Sequence, residues 1–155
     1  PPNRRGTRME FTEAKLGRIF ILRLHQNETL HEVIEKFAAQ QKIANALCFF
    51  LGGAEDKSKV VVGPKDGKVM PPQAMVTLLK GVHEGVGMGT IFSDKLGGAK
   101  LHMHASFGRN DNAVTGCVRM GVNVWQIGEV VILELTGGSA KRMKNKETGF
   151  AFLEC

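Results

Sequence analysis

Only one stretch of this sequence repeats its apolar residues with the period of a helix. Leu30, Val33, Ile34, Phe37 and Ala38 fall on one face of a helix expected from Leu30 to about Gln41. Glu32, Glu35 and Lys36 fall on the other, and Asn27 or Thr29 stands where a cap is needed. The other apolar runs are short and bounded by glycine or turn residues, the pattern of strands: Arg18 to Leu24, Asn45 to Leu51, Thr90 to Ser93, Lys100 to Phe107, Ala113 to Met120 and Val130 to Leu135. Gly52-Gly53 reads as the turn that stops the second of these. Lys59 to Val62 and Lys68 to Met70 flank Pro64-Lys65-Asp66-Gly67 as a hairpin. Pro71 to Gly89 reads as loop with a short strand. Lys141 to Cys155 reads as a basic loop followed by an edge strand or docked terminus at Phe150 to Leu153. One helix among many strands implies an α+β fold, a largely antiparallel sheet with the amphipathic helix packed on one face. Nineteen glycines in 155 residues agree with many tight turns and close backbone approaches.

A chain of this length is expected to form one domain, and it carries neither an internal repeat nor a low-complexity linker. The expected division is a flexible basic arm or cloning remnant at residues 1–8 and a single domain over 9–155. The longest apolar run, Ile43 to Ala54, falls short of the ~20 residues a membrane helix requires, so no membrane partner is expected. The start shows no basic-then-apolar leader, and the expected compartment is the cytoplasm. The formal charge of +6 is concentrated at the two ends. Arg4, Arg5 and Arg8 form one basic run and Lys141, Arg142, Lys144 and Lys146 another, which leaves 14 basic residues against 15 acidic in the body. Any nucleic-acid contact would therefore fall on Arg4, Arg5 and Arg8, and otherwise they form a solvated tail.

Three cysteines, at 48, 117 and 155, make no disulfide framework. Cys48 lies in an apolar strand and reads as core, while Cys117 belongs to the informative stretch, LHMHASFGRNDNAVTGCVRMG from Leu101 to Gly121. On a strand, residues two apart share a face, so His102 and His104 project together. Gly108-Arg109-Asn110-Asp111 reads as a four-residue hairpin loop, a register in which His102 faces Cys117 and His104 faces Thr115. Opposed Cβ atoms lie about 4.5 to 5.5 Å apart, within reach of one shared ion. Two imidazoles and a thiolate give three protein ligands and an open fourth position, the arrangement of catalytic rather than structural zinc. Glu129 and Glu134 are candidates for orienting a histidine or taking a proton, Glu129 being the favoured supporting residue. The alternative is a polar stripe on a half-exposed sheet with Cys117 as a small buried hydrophobe. His25, His31 and His83 lack comparable geometry. Gly85 to Gly89 lacks the GxGxxG spacing of a dinucleotide loop, and no G-x-S-x-G nucleophile elbow occurs.

In order and spacing the chain resembles the PPC domain, the plant and prokaryote conserved domain, from Lys15 to Leu153. The pieces are Gly17-Arg18 with the strand to Leu24, Glu28-Thr29-Leu30 with Phe37-Ala38, Gly52-Gly53-Ala54-Glu55 and His102-Met103-His104. Thr115-Gly116-Cys117-Val118, Gly128-Glu129-Val130-Val131-Ile132, and Arg142 with Thr148-Gly149-Phe150 follow. The resemblance implies a homotrimer and, as in prokaryotic members, a three-histidine cluster that holds zinc. His102 and His104 match its first two histidines. Where the family has Gly-Gly-His-Leu this chain has Thr115-Gly116-Cys117-Val118, which substitutes Cys117 for the third ligand and suggests a His₂Cys site. The family also carries a DNA-binding label through the AT-hooks of its plant members. Arg5-Gly6-Thr7-Arg8 departs from their Arg-Gly-Arg-Pro core. The expected function is a stand-alone regulatory or DNA-associated module with a zinc site, and the alternative is a metal-dependent hydrolase or lyase acting on a small substrate.

Overall fold

The computed structural model describes residues 9–155. Ten strands and one helix follow in chain order: β1 (Lys15–Leu24), α1 (Leu30–Gln40), β2 (Asn45–Ala54), β3 (Lys59–Pro64), β4 (Ala74–Leu78), β5 (His83–Ser93), β6 (Ala99–Arg109), β7 (Asn112–Cys117), β8 (Val124–Thr136), β9 (Lys141–Lys144) and β10 (Ala151–Glu154). The first eight form one sheet in the order β1-β8-β2-β5-β6-β7-β3-β4, and β9 and β10 form a separate ribbon. All paired strands run antiparallel. The α+β expectation therefore holds at the level of a mostly antiparallel sheet with one short helix. Among the described residues no helix is long and apolar enough to cross a membrane. The basic run Arg4, Arg5 and Arg8 lies outside the described residues.

The helix buries Leu30, Ile34 and Ala38, spaced by one turn each, against the sheet. Its partners include Phe50, Leu101, Met103, Phe107, Val130 and Ile132 in one continuous core. Thr29 occupies the N-cap position without capping, because its hydroxyl donates to Asn123 Oδ1 at 3.0 Å. The side chain of Glu35 reaches back to β6. It accepts from the Leu101 N–H at 2.9 Å and from Arg119 Nη2 at 2.5 Å, and Arg119 Nη2 also donates to the Leu101 carbonyl.

Four elements differ from their sequence-based expectation. Gly52-Gly53 does not turn the chain, and β2 continues to Ala54. Strand β8 crosses there so closely that a Cβ on Gly52 would overlap the Ile127 carbonyl, and one on Gly53 would lie 2.5 Å from the Trp125 carbonyl. Those glycines serve close approach. The partner of β3 is β4 and not Lys68 to Met70. The glycine-rich segment read as loop is the first half of β5, with Gly85, Gly87 and Gly89 buried on the core side. A Cβ on Gly89 would stand 2.7 Å from both the His102 carbonyl and the Met103 Cβ, so the core leaves room for hydrogen only. Side chains of β6 supply the apolar volume that β5 lacks. Near the end of the chain, the expected basic loop is strand β9, paired with β10.

Candidate functional site

The alternation of β6 sends Leu101, Met103, Ala105 and Phe107 into the core and leaves His102 and His104 on the outer face. Their Nε2 atoms lie 3.2 Å apart, with ring centroids 4.9 Å apart and planes at 88°. Such a contact requires at least one neutral ring, since one nitrogen must accept what the other donates. Partial burial, then the charges of His104, Arg142 and Arg119, push the His102 imidazole below its ordinary 6.5.

The β6–β7 hairpin turns through Asn110-Asp111 alone, with Asn110 at φ 52°, and Arg109 pairs with Asn112. The loop is therefore two residues long rather than four. Every pairing moves by two positions, so Cys117 faces His104 instead of His102, and Thr115 faces Ser106. An even shift preserves the face, and Cys117 stays on the side of the imidazoles. His102 lies beyond the end of β7. Among the described residues no three His, Cys, Asp or Glu side chains are gathered closely enough to hold a metal ion, so the thiol stands outside the imidazole pair.

Cross-strand register extends this site into rows running across the sheet. One row reads Ile21, Val131, Phe49, Met88, His104 and Cys117, and the next Ile19, Leu133, Leu47, Thr90 and His102. The first is apolar and open to solvent up to the histidine, with Ile21 85%, Phe49 41% and Met88 58% exposed. A groove of about 350 Å³ lies against His104, lined by Phe49, Val86, Met88, Ser106 and Thr115 among others.

The carboxylates considered as supporting groups lie elsewhere. Glu129 is on β8, facing Leu51 and Arg23, with β2 and β5 between it and the histidines. Three strand spacings amount to about 14 Å. Glu134 instead accepts from Arg18 Nε at 2.7 Å and Nη2 at 2.8 Å, and those hydrogen bonds hold its carboxyl below the ordinary range. Cys48 is buried in the core, and burial pushes its thiol up to about 12. His83 Nδ1 contacts the Gly81 carbonyl at 2.9 Å, and His31 sits in the first turn of α1. The residue that sequence reasoning missed is Arg142. Read from the sequence as part of a basic run and as a piece of the family resemblance, but given no place at the site, it is carried by β9 to the outer face of β5, where Nη2 donates to Thr90 Oγ1 at 3.1 Å.

An antiparallel sheet with one helix behind it and paired imidazoles in front defines a small α+β domain with a candidate ligand site on its open face. The sequence matches the model of the Plants and Prokaryotes Conserved (PCC) domain over residues 11–136, and the chain belongs to that family, written PPC above. No curated protein matches it. Among solved structures it is similar to a plant- and prokaryote-conserved protein of Pyrococcus horikoshii, with 24% identity, a TM-score of 0.81 and coverage of 95% of this chain and 98% of that one. It is similar as well to a metal-containing protein of Archaeoglobus fulgidus, at 23% identity, TM-score 0.79 and coverage of 93% and 98%. A third, from Bacteroides thetaiotaomicron, is described as a candidate DNA-binding protein (17% identity, TM-score 0.73, coverage of 92% and 96%).

Proposed function

We propose that this PPC-domain chain is a regulatory, DNA-associated module that binds a divalent metal, zinc, through His102, His104 and Cys117, and that it assembles as a homotrimer. The observation that carries the metal reading is the imidazole pair. Two nitrogens bound to one tetrahedral zinc at 2.0–2.1 Å stand about 3.3 Å apart, and the Nε2 atoms here are at 3.2 Å. The two imidazole nitrogens therefore fit one ion, while the Cys117 thiol would have to swing toward them to complete the set. Cys117 supports the same reading as the outer-face residue directly opposite His104, at the ~5 Å Cβ separation of such pairs. Bound there, zinc would supply Lewis acidity and a polarised fourth position. The chain's own contribution is to hold the two rings edge-on, with burial pushing the His102 imidazole below its ordinary value. The Archaeoglobus relative's metal content adds support, and the Bacteroides relative's description supports the DNA association.

Among the described residues no carboxylate is grouped with the pair as a general base, which favours binding over turnover. Self-association is supported by the exposed apolar row from Ile21 to Met88 and by Leu51 and Val86 beside it, 58% and 60% exposed.

Zinc analysis of protein stripped and reloaded with excess metal tests the metal reading. One equivalent per chain is expected in the wild type. His102→Ala and His104→Ala should lose it, and Cys117→Ala should bind about 10 to 100 times more weakly. A wild type that retains no zinc refutes the site. Light scattering tests the trimer, and a monomer refutes it.

A further inference from the structure

Arg142 is a partly buried cation on this face that, among the described residues, no carboxylate pairs with. Its guanidinium is half-buried, donates through Nη2 to Thr90 Oγ1 at 3.1 Å and lies 5.6 Å above the Phe92 ring. Both residues belong to β5, and Thr90 stands directly opposite His102. The guanidinium is thus fixed, by stacking and by one hydrogen bond, alongside the imidazoles. A guanidinium carries five donors in a planar fork, and the bond to Thr90 uses one of them.

Among the described residues it has no ion-pair partner, the two ion pairs there joining Arg18 to Glu134 and Arg119 to Glu35. The acidic residue adjoining its strand, Asp94, directs its carboxylate to its own turn, accepting from the Leu96 N–H at 2.9 Å and the Gly98 N–H at 2.8 Å. The neighbouring imidazoles and Arg119 add no negative charge. Burying part of a cation without a partner costs free energy, and an anion at that position offsets the cost with charge-assisted hydrogen bonds.

Positions 102, 104 and 106 follow one another along β6, with Arg142 at the Thr90 end and the apolar groove against His104 at the other. At about 3.3 Å per residue, the distance from 102 to 106 is about 13 Å. We infer that Arg142 holds the oxyanion of a small amphipathic ligand that lies across His102 and His104 with its apolar body in the groove beside Met88 and Thr115. The inference rests on the reading of the imidazole pair as a ligand site, and it extends that site to a residue beyond the matched family span of 11–136.

The test titrates hexanoate, and separately inorganic phosphate, into the wild type, Arg142→Met and Arg142→Lys, following the imidazole Cε1–H resonances of His102 and His104. Cobalt loading of each protein is read independently from its visible spectrum. Binding of either anion by the wild type is expected, weakened about tenfold or more in Arg142→Met and less in Arg142→Lys, with cobalt loading equal in all three. Hexanoate binding the tighter identifies a carboxylate with an apolar body, and phosphate the tighter identifies a phosphoryl head. Equal anion affinity in wild type and Arg142→Met, or no response to either anion, overturns the inference even where cobalt binds. Absence of cobalt binding with Arg142-dependent anion binding intact overturns the metal reading alone. The circular dichroism of Arg142→Met checks that it is folded, and Arg142→Lys carries the comparison if it is not.

Discussion

Replacing Glu35 by glutamine tests how the helix holds the strand that presents the histidines. Glu35 accepts from the Leu101 N–H at 2.9 Å and from Arg119 Nη2 at 2.5 Å, immediately before His102. Burial pushes its carboxyl up. The hydrogen bonds from Arg119 and Leu101, with the Arg119 and Lys100 charges, outweigh that and leave it below the ordinary 4.5. A hydrogen bond to a charged group contributes about 1.5–3 kcal/mol. The Arg119 side chain is 43% exposed and that of Glu35 20%, so solvent screening reduces the ion pair toward the surface value of under about 1 kcal/mol. Glutamine retains an acceptor for Leu101 and loses the charge, giving an expected cost of about 1–2 kcal/mol at pH 7, or about 2–8 °C in Tm for a chain of this size. Because the folded carboxyl titrates below the unfolded one, its contribution is complete above about pH 5 and disappears as pH falls through the folded value, below 4.5. Urea denaturation of wild type and Glu35→Gln at one chain concentration, from pH 7 down to 3, measures the difference. It should narrow toward zero across the acid limb. A difference that stays constant to pH 3, or one below about 0.3 kcal/mol at pH 7, refutes the account of Glu35 as the charged tie between α1 and β6.

Gly89→Ala should cost about 1–3 kcal/mol, since its Cβ would meet the His102 carbonyl and the Met103 Cβ at 2.7 Å. Gly97→Ser, on an open loop with nothing within 4 Å but a φ of +85°, should cost about 1 kcal/mol. Equal losses in urea melts would count against packing as the reason for the β5 glycines. With Ellman's reagent at pH 8, native metal-free protein should release two fast thiols, those of Cys117 and Cys155, and a third only on unfolding, because burial pushes Cys48 up to about 12. Three fast thiols would contradict the described core. Met88→Glu, on the exposed row, should reduce the assembled mass by light scattering while leaving a folded chain. An unchanged mass would place the self-association surface elsewhere.

The local patterns in the chain reach a definite distance into this structure. The 3.6-residue period of Leu30, Ile34 and Ala38 determines where α1 lies and which face it buries, because both follow from bonds within the segment. The two-residue alternation of β6 likewise puts His102 and His104 on one face whatever their neighbours do. Cys117 joins them in either register, since loops of two and four residues differ by an even shift. Family membership was legible for the same reason, resting on the order of such local pieces.

Pairing across the sheet was not legible, since it depends on atoms distant in sequence. Asn110 takes φ 52° and shortens the hairpin. Gly52 stays inside β2 because the Ile127 carbonyl crosses there, and the β5 glycines form a strand because Met103, Ala105 and Phe107 fill the space beside them. Arg142, which the sequence shows as one charge in a basic run and one piece of the family pattern but not as a neighbour of the histidines, is brought to Thr90 by a ribbon more than forty residues downstream. Periodicity records which way each side chain points. Which of them meet is decided by steric fit between segments, and that information exists only once the sheet has closed.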